Sequence, residues 1–149
     1  MSDGADLRVA AEAVVDFLNS RGIEFDALGG MTMGADPVAH AVAVVAQSRW
    51  YSVRKAEKTH GTGQRIEGAT IGPGVRVVVF EDTTSTGRSL LDALGVVEAS
   101  GAEVVAALTL LDRGADTPSR FVGHGVRFLS LLTYVDLGIE PVGRAGAAR

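Results

Sequence analysis

Glu81 and Asp82 close the apolar run Val77-Val78-Val79-Phe80, and Thr83-Thr84-Ser85-Thr86-Gly87-Arg88-Ser89 follows them. Two adjacent carboxylates can accept hydrogen bonds from neighbouring hydroxyls of a sugar. A turn of small hydroxyl residues with one glycine, running into a helix, can surround a phosphate with N–H groups and hydroxyls where the helix dipole also favours an anion. An ordinary strand–turn–helix joint with a capping side chain accounts for Asp82 or Ser85 singly. It does not account for the whole polar run directly after a strand of buried type.

Three further runs carry chemistry. Arg54-Lys55-Ala56-Glu57-Lys58-Thr59-His60-Gly61 holds both lysines of the chain and two more potential cations. Such a run is ordinarily a solvated charged loop; hinged on glycines it can also close over a polyanion, stabilise an anionic leaving group and exclude water. In Gly29-Gly30-Met31-Thr32-Met33-Gly34-Ala35-Asp36-Pro37 the glycines can turn N–H groups toward an anion, with a helix start at Asp36 and Pro37 behind them. The plain alternative is a β–α turn. In Leu111-Asp112-Arg113-Gly114 the guanidinium fork of Arg113 suits a carbonyl and a carboxylate. Its other reading is a surface arginine paired with Asp112 or Asp116.

These groups need a scaffold, and the hydrophobic pattern supplies one. Leu7, Ala10, Val14, Phe17 and Leu18 have helical spacing over Asp6–Ser20, with Gly22 as a stop. Strands are expected at Phe25–Leu28, Trp50–Val53, Arg76–Phe80, Glu103–Leu111 and Val126–Leu132, with helices from Asp36 to Val45 and from Ser89 to Ser100. Arg54–Gly74 shows no clear period. Continuous Val/Leu strands alternating with helices predict an α/β fold: a single domain, mainly a parallel sheet flanked by helices, over residues 1–140, with a loose tail at 141–149. In such sheets ligands sit at the carboxyl ends of the strands. All four polar runs fall there.

The chain has 149 residues, 46% of them apolar, with 19 glycines, no cysteine and a net charge of −4. One domain with a real core follows. Disulfides, zinc fingers and thiol catalysis are excluded. The acidic balance argues against nucleic acid or an anionic membrane as partner. With no spanning segment and no signal-peptide pattern, a soluble cytoplasmic protein is expected. Neither a Walker A sequence nor a Rossmann glycine fingerprint follows a strand.

The run Val77–Ser89 resembles the ribose-5-phosphate signature of type I phosphoribosyltransferases, which have a Rossmann-like core. The pattern Arg-Lys-x-x-Lys-x-His-Gly at 54–61, the Gly-Gly-x-Thr-x-Gly-Ala-Asp-Pro run at 29–37 and the Asp112-Arg113 pair narrow the likeness to orotate phosphoribosyltransferases of actinobacterial type. The resemblance implies transfer of phosphoribose from 5-phosphoribosyl 1-pyrophosphate (PRPP) to orotate, giving orotidine 5′-monophosphate and pyrophosphate. It implies Lys58, His60, Glu81 and Asp82 as catalytic groups. PRPP would be bound by Arg54, Lys55, Lys58, His60, Glu81, Asp82, Thr83, Thr84, Ser85, Thr86, Gly87, Ser89, Gly30, Met31 and Thr32. Arg113 would contact the base. Mg²⁺ would be held mainly by donor oxygens and water rather than by a protein cage. A homodimer is implied, the 54–67 loop reaching across its interface. Two departures stand out. Met33 occupies a place where many members carry lysine, and nothing before Leu7 matches the segment that hoods the base. The residues therefore leave open a paralogue using another base, a non-catalytic binder of PRPP or a nucleotide, and a truncated product.

Overall fold

Alternating strands and helices build one six-stranded sheet in the order β3-β2-β1-β4-β5-β6. The computed structural model describes residues 3–55 and 65–143. The elements are α1 (Gly4–Asn19), β1 (Ala27–Met31), α2 (Asp36–Ala46), β2 (Arg49–Val53), β3 (Ile66–Gly68), β4 (Arg76–Thr84), α3 (Arg88–Ala99), β5 (Glu103–Asp112), α4 (Thr117–Arg120) and β6 (Phe128–Thr133). Every pairing is parallel except β2 with β3, which is antiparallel. No described helix is long and apolar enough to cross a membrane.

Two apolar layers clamp the sheet. Ala11, Val14 and Leu18 of α1 and Val38, Ala39 and Val42 of α2 bury against Leu28, Val78, Phe80, Ala106 and Leu108 on one face. Leu90, Ala93, Leu94 and Val97 of α3 bury against Tyr51, Val53, Val77, Val79 and Ala107 on the other. The alternation of Val77 and Val79 with Val78 and Phe80 is the period-2 signature of a strand covered on both sides. Asp3 caps α1 through a 2.7 Å bond from the Ala5 amide.

Chain order makes one place special. β1 connects through α2 to β2 on one side, and β4 connects through α3 to β5 on the other. The carboxyl ends of β1 and β4 therefore flank a topological switch point, where the two following loops diverge and leave a crevice.

Several boundaries differ from expectation, each for a physical reason. β1 begins two residues later than Phe25 and takes in Gly29, Gly30 and Met31, which sequence places in a loop. Tyr51 of β2 is fully buried and its hydroxyl donates to the Val78 carbonyl at 2.9 Å. To reach it the ring passes over Gly29, where a Cβ would run into both the Tyr51 carbonyl and ring. Burial raises this phenol well above its ordinary pKa, so it stays a donor. β4 continues four residues past Phe80, because β5 runs beside it as far as Thr84 opposite Asp112. The acids thus lie inside the strand rather than after it. Ala35, not Asp36, is the cap of α2; Asp36 is its first residue and accepts from the Ser52 hydroxyl at 2.7 Å. β3 and α4, both short, carry no periodic signal.

Candidate functional site

The crevice at the switch point is floored by the end of β4. Glu81 and Asp82 do not sit side by side. Asp82 lies against Gly34 of the β1–α2 loop, whose Cβ position would be 3.0 Å from Asp82 Oδ1. Its carboxylate also accepts the Thr83 amide at 2.8 Å. Glu81 lies toward the first turn of α3, within the influence of Ser89 and Thr84. The two carboxylates therefore address the crevice from its two walls.

Glu81 is the more unusual of the pair. Its Oε2 is buried and has no hydrogen-bond partner among the described residues. Burial first, then the charge of Asp82, pushes its pKa above the ordinary glutamate value, while the Thr84 and Ser89 hydroxyls pull the other way. A native buried carboxylate oxygen without a donor calls for an explanation, and a ligand hydroxyl supplies one. The linkage has a definite sign. A group whose folded pKa is raised stabilises the fold fully below its unfolded pKa and loses that contribution as pH rises through the folded value. Glu81→Gln, which has no proton to lose, is therefore expected to melt higher than the parent at neutral pH and to converge with it in acid. Thermal melts across that range check this; parallel curves would remove Glu81 from the strained position assigned to it.

The turn after β4 has its own wiring. Thr83 ends exposed, whereas Thr84 is buried and its hydroxyl accepts the Gly87 amide at 3.0 Å. The Thr86 hydroxyl receives the Arg88 amide at 3.4 Å. Gly87 is the N-cap of α3 in the left-handed region at φ 70°, where glycine carries no steric penalty. Among the described residues the amides of Ser85 and Thr86 donate to no protein oxygen. Two N–H groups just ahead of a twelve-residue helix are a suitable anion cradle.

The facing loop is built differently from expectation. Gly30 and Met31 are buried strand residues, and the Thr32 amide is taken by the Val53 carbonyl at 2.9 Å. The turn that overhangs Asp82 is instead Thr32–Gly34, with Met33 82% exposed. The Thr32–Met33 peptide is cis. Arg54, just beyond β2, is bound to Glu67 at 2.9 Å across the hairpin, and Arg65 donates to the carbonyls of Arg54 and Lys55. Lys55 is exposed. Lys58 and His60 lie outside the described residues.

At the end of β5, Arg113 is exposed and its amide donates to the Thr84 carbonyl at 2.8 Å. Asp112 does not pair with its side chain. It is 3% exposed and accepts from the Gly114 amide at 2.9 Å and the Thr117 hydroxyl at 2.8 Å. Sequence reasoning passed over Thr117; the Asp116-Thr117-Pro118 helix start was the available signal. A cavity of about 780 Å³ lies between the β3 segment and α3, lined by residues such as Ile66, Ile71, Leu91 and Val96.

A mostly parallel sheet with a carboxylate-bearing strand end and a hydroxyl turn at its switch point fits the type I phosphoribosyltransferase class. A scan against protein-family models gave no match. The chain is 40% identical over 144 residues to the orotate phosphoribosyltransferase of Streptomyces coelicolor, covering 93% of this chain and 78% of that protein. Its structure superposes with a TM-score of 0.76 on a phosphoribosyltransferase from Corynebacterium diphtheriae, at 34% identity over 89% of this chain and 77% of the other. The Mycobacterium tuberculosis orotate phosphoribosyltransferase crystallised with PRPP gives a TM-score of 0.74 at 31% identity, over 89% of this chain and 76% of that one. The chain belongs to the orotate phosphoribosyltransferase family.

Proposed function

We propose that this protein transfers the phosphoribosyl group of PRPP to orotate. The supporting observation is the buried Glu81 Oε2, without a donor among the described residues, at the same strand end as Asp82 and the Ser85–Thr86 amides. A pentose 5-phosphate presents hydroxyls and a phosphate at complementary positions. Its ribose hydroxyls donate to Glu81 and Asp82. Its 5-phosphate takes the Ser85, Thr86 and Gly87 turn, with Thr83, Thr84 and Ser89 around it.

The reaction then follows from charge. As pyrophosphate leaves the anomeric carbon, positive charge develops on the sugar. The two carboxylates stabilise it electrostatically. A ring nitrogen of orotate, its proton given up to solvent, attacks from the opposite face with inversion, the carbon–nitrogen bond forming as the carbon–oxygen bond to pyrophosphate breaks. Arg113 orients the base through its carboxylate and carbonyl. The Thr32–Gly34 turn faces the leaving group. Arg54, Lys55, Lys58 and His60 belong to the loop assigned to pyrophosphate, acting across a homodimer interface. Positioning and electrostatics supply most of the acceleration.

Mg²⁺ fits this donor set on limited terms. Two carboxylates, both also needed by ribose, leave most of its coordination to donor oxygens and water, as its reluctance to dehydrate favours. Bound there, it would supply charge neutralisation for the departing pyrophosphate.

Ultraviolet absorbance of orotate tests the proposal. Protein, PRPP, orotate and Mg²⁺ together should consume orotate in proportion to enzyme. Tight PRPP binding with no turnover on orotate or any other base would make this a binding module instead.

A further inference from the structure

The turn that cradles the phosphate and the segment that carries Arg113 are joined more closely than their separation in sequence requires. Thr84, Ser85 and Gly87 of the turn are each approached from residues 113–121. The Arg113 amide donates to the Thr84 carbonyl at 2.8 Å. Gly114 presses so closely on the Ser85 carbonyl that a Cβ would overlap it. The Thr117 hydroxyl lies 3.4 Å from the same carbonyl. A Cβ on Gly87 would sit 3.1 Å from the Phe121 ring and 3.3 Å from the Thr117 methyl group.

Asp112 is the centre of this arrangement. It is buried at the last position of β5, and one oxygen, Oδ1, takes both the Gly114 amide and the Thr117 hydroxyl. The two bonds close a loop around Arg113 and leave its guanidinium without an ion pair among the described residues. A hydrogen bond to a buried charge is worth more than a neutral one, and an unmet acceptor costs its full desolvation. Thr117, 1% exposed, is held to Asp112 by that bond.

We infer that Asp112 and Thr117 are positioning residues that lock the phosphate cradle to the base-contacting arginine, so that donor and acceptor are held by a single rigid piece. This rests on the functional reading above. Neither residue touches substrate. Their effect is geometric: misplacement of Thr117 shifts the Ser85 carbonyl and Arg113 together, and so weakens grip at both ends.

Isothermal titration of the full chain with ribose 5-phosphate and, separately, with orotate tests it. Thr117→Val keeps the shape and the methyl contact with Gly87 but removes the hydroxyl. It is expected to raise both dissociation constants, each roughly tenfold, while Thr117→Ser restores both. A valine variant that binds both ligands as the parent does would overturn the inference, as would one weakened for ribose 5-phosphate alone. If Thr117→Val does not fold, Thr117→Ala against Thr117→Ser makes the same comparison. Should the parent chain bind neither ligand, the functional reading itself fails and the inference goes with it.

Discussion

Asp82→Asn is expected to lower kcat by about 10²–10³-fold while leaving the melting temperature close to that of the parent. The asymmetry comes from what Asp82 does in the fold. Within the protein its side chain receives the Thr83 amide, a bond that an asparagine carbonyl oxygen can also accept. Gly34 lies beside it with room that an isosteric side chain does not exceed. The backbone of Asp82 is held independently by β5, whose Thr109 hydroxyl lies 3.4 Å from the Asp82 carbonyl. Folding therefore loses little. Chemistry loses a unit negative charge next to a carbon that becomes positive. At about 4 Å and an effective dielectric near 20, such a pair is worth about 4 kcal/mol. Part of that is recovered by the amide dipole, which leaves the quoted range. Initial rates from orotate absorbance, alongside thermal melts of both proteins, check the pair of outcomes. Intact activity in Asp82→Asn would remove the acid pair from the mechanism.

Much of this site was legible before the structure. The acids, the hydroxyl turn and the Asp-Arg pair are runs of unusual composition at strand ends, and composition survives without coordinates. The layering was legible too, because Val77 to Phe80 are apolar without interruption and only a strand covered on both faces asks for that. What sequence could not place was anything decided by a neighbouring strand. Glu81 to Thr84 look like loop residues in isolation; β5 holds them in the ladder out to Asp112. β3 has three residues and exists because β2 offers it an edge.

The same limit applies to individual bonds. Asp112 looks like a partner for Arg113 on proximity in sequence. In the fold its carboxylate turns inward to Gly114 and Thr117, because a buried acid takes donors that are fixed near it. Glu81 and Asp82 look like a matched pair, yet strand geometry gives one to α3 and the other to the β1–α2 loop. On the proposed function this arrangement lets the two acids approach one ring from both sides of a crevice.

Gly29 and Gly30 belong to β1 rather than to the loop their sequence predicts, and they yield the largest expected effect on stability. Paired glycines suggest a phosphate loop, but both lie within β1 and are buried. A Cβ at Gly30 would run into the carbonyl oxygen of Phe80, the residue before Glu81, and would approach Ala35 Cβ to 3.2 Å. The obstacle is backbone on the sheet side and the fixed Cβ of Ala35 on the other, so no rotamer change relieves it. β1 and β4 must part at the switch point. Overpacking ordinarily costs about 1–3 kcal/mol, and Gly30→Ala is expected at or beyond the top of that range, with PRPP affinity falling along with stability because the displaced strand is the one that carries the acids. Gly95→Ala is the control. That glycine lies within α3 with nothing within 4 Å of its Cβ position, so alanine there should stabilise by about 0.5–1 kcal/mol through helix propensity alone. Urea denaturation of the two variants should move in opposite directions. A Gly30→Ala protein as stable as the parent would mean that β1 and β4 do not approach each other as closely as described, and the crevice between them would have to be redrawn.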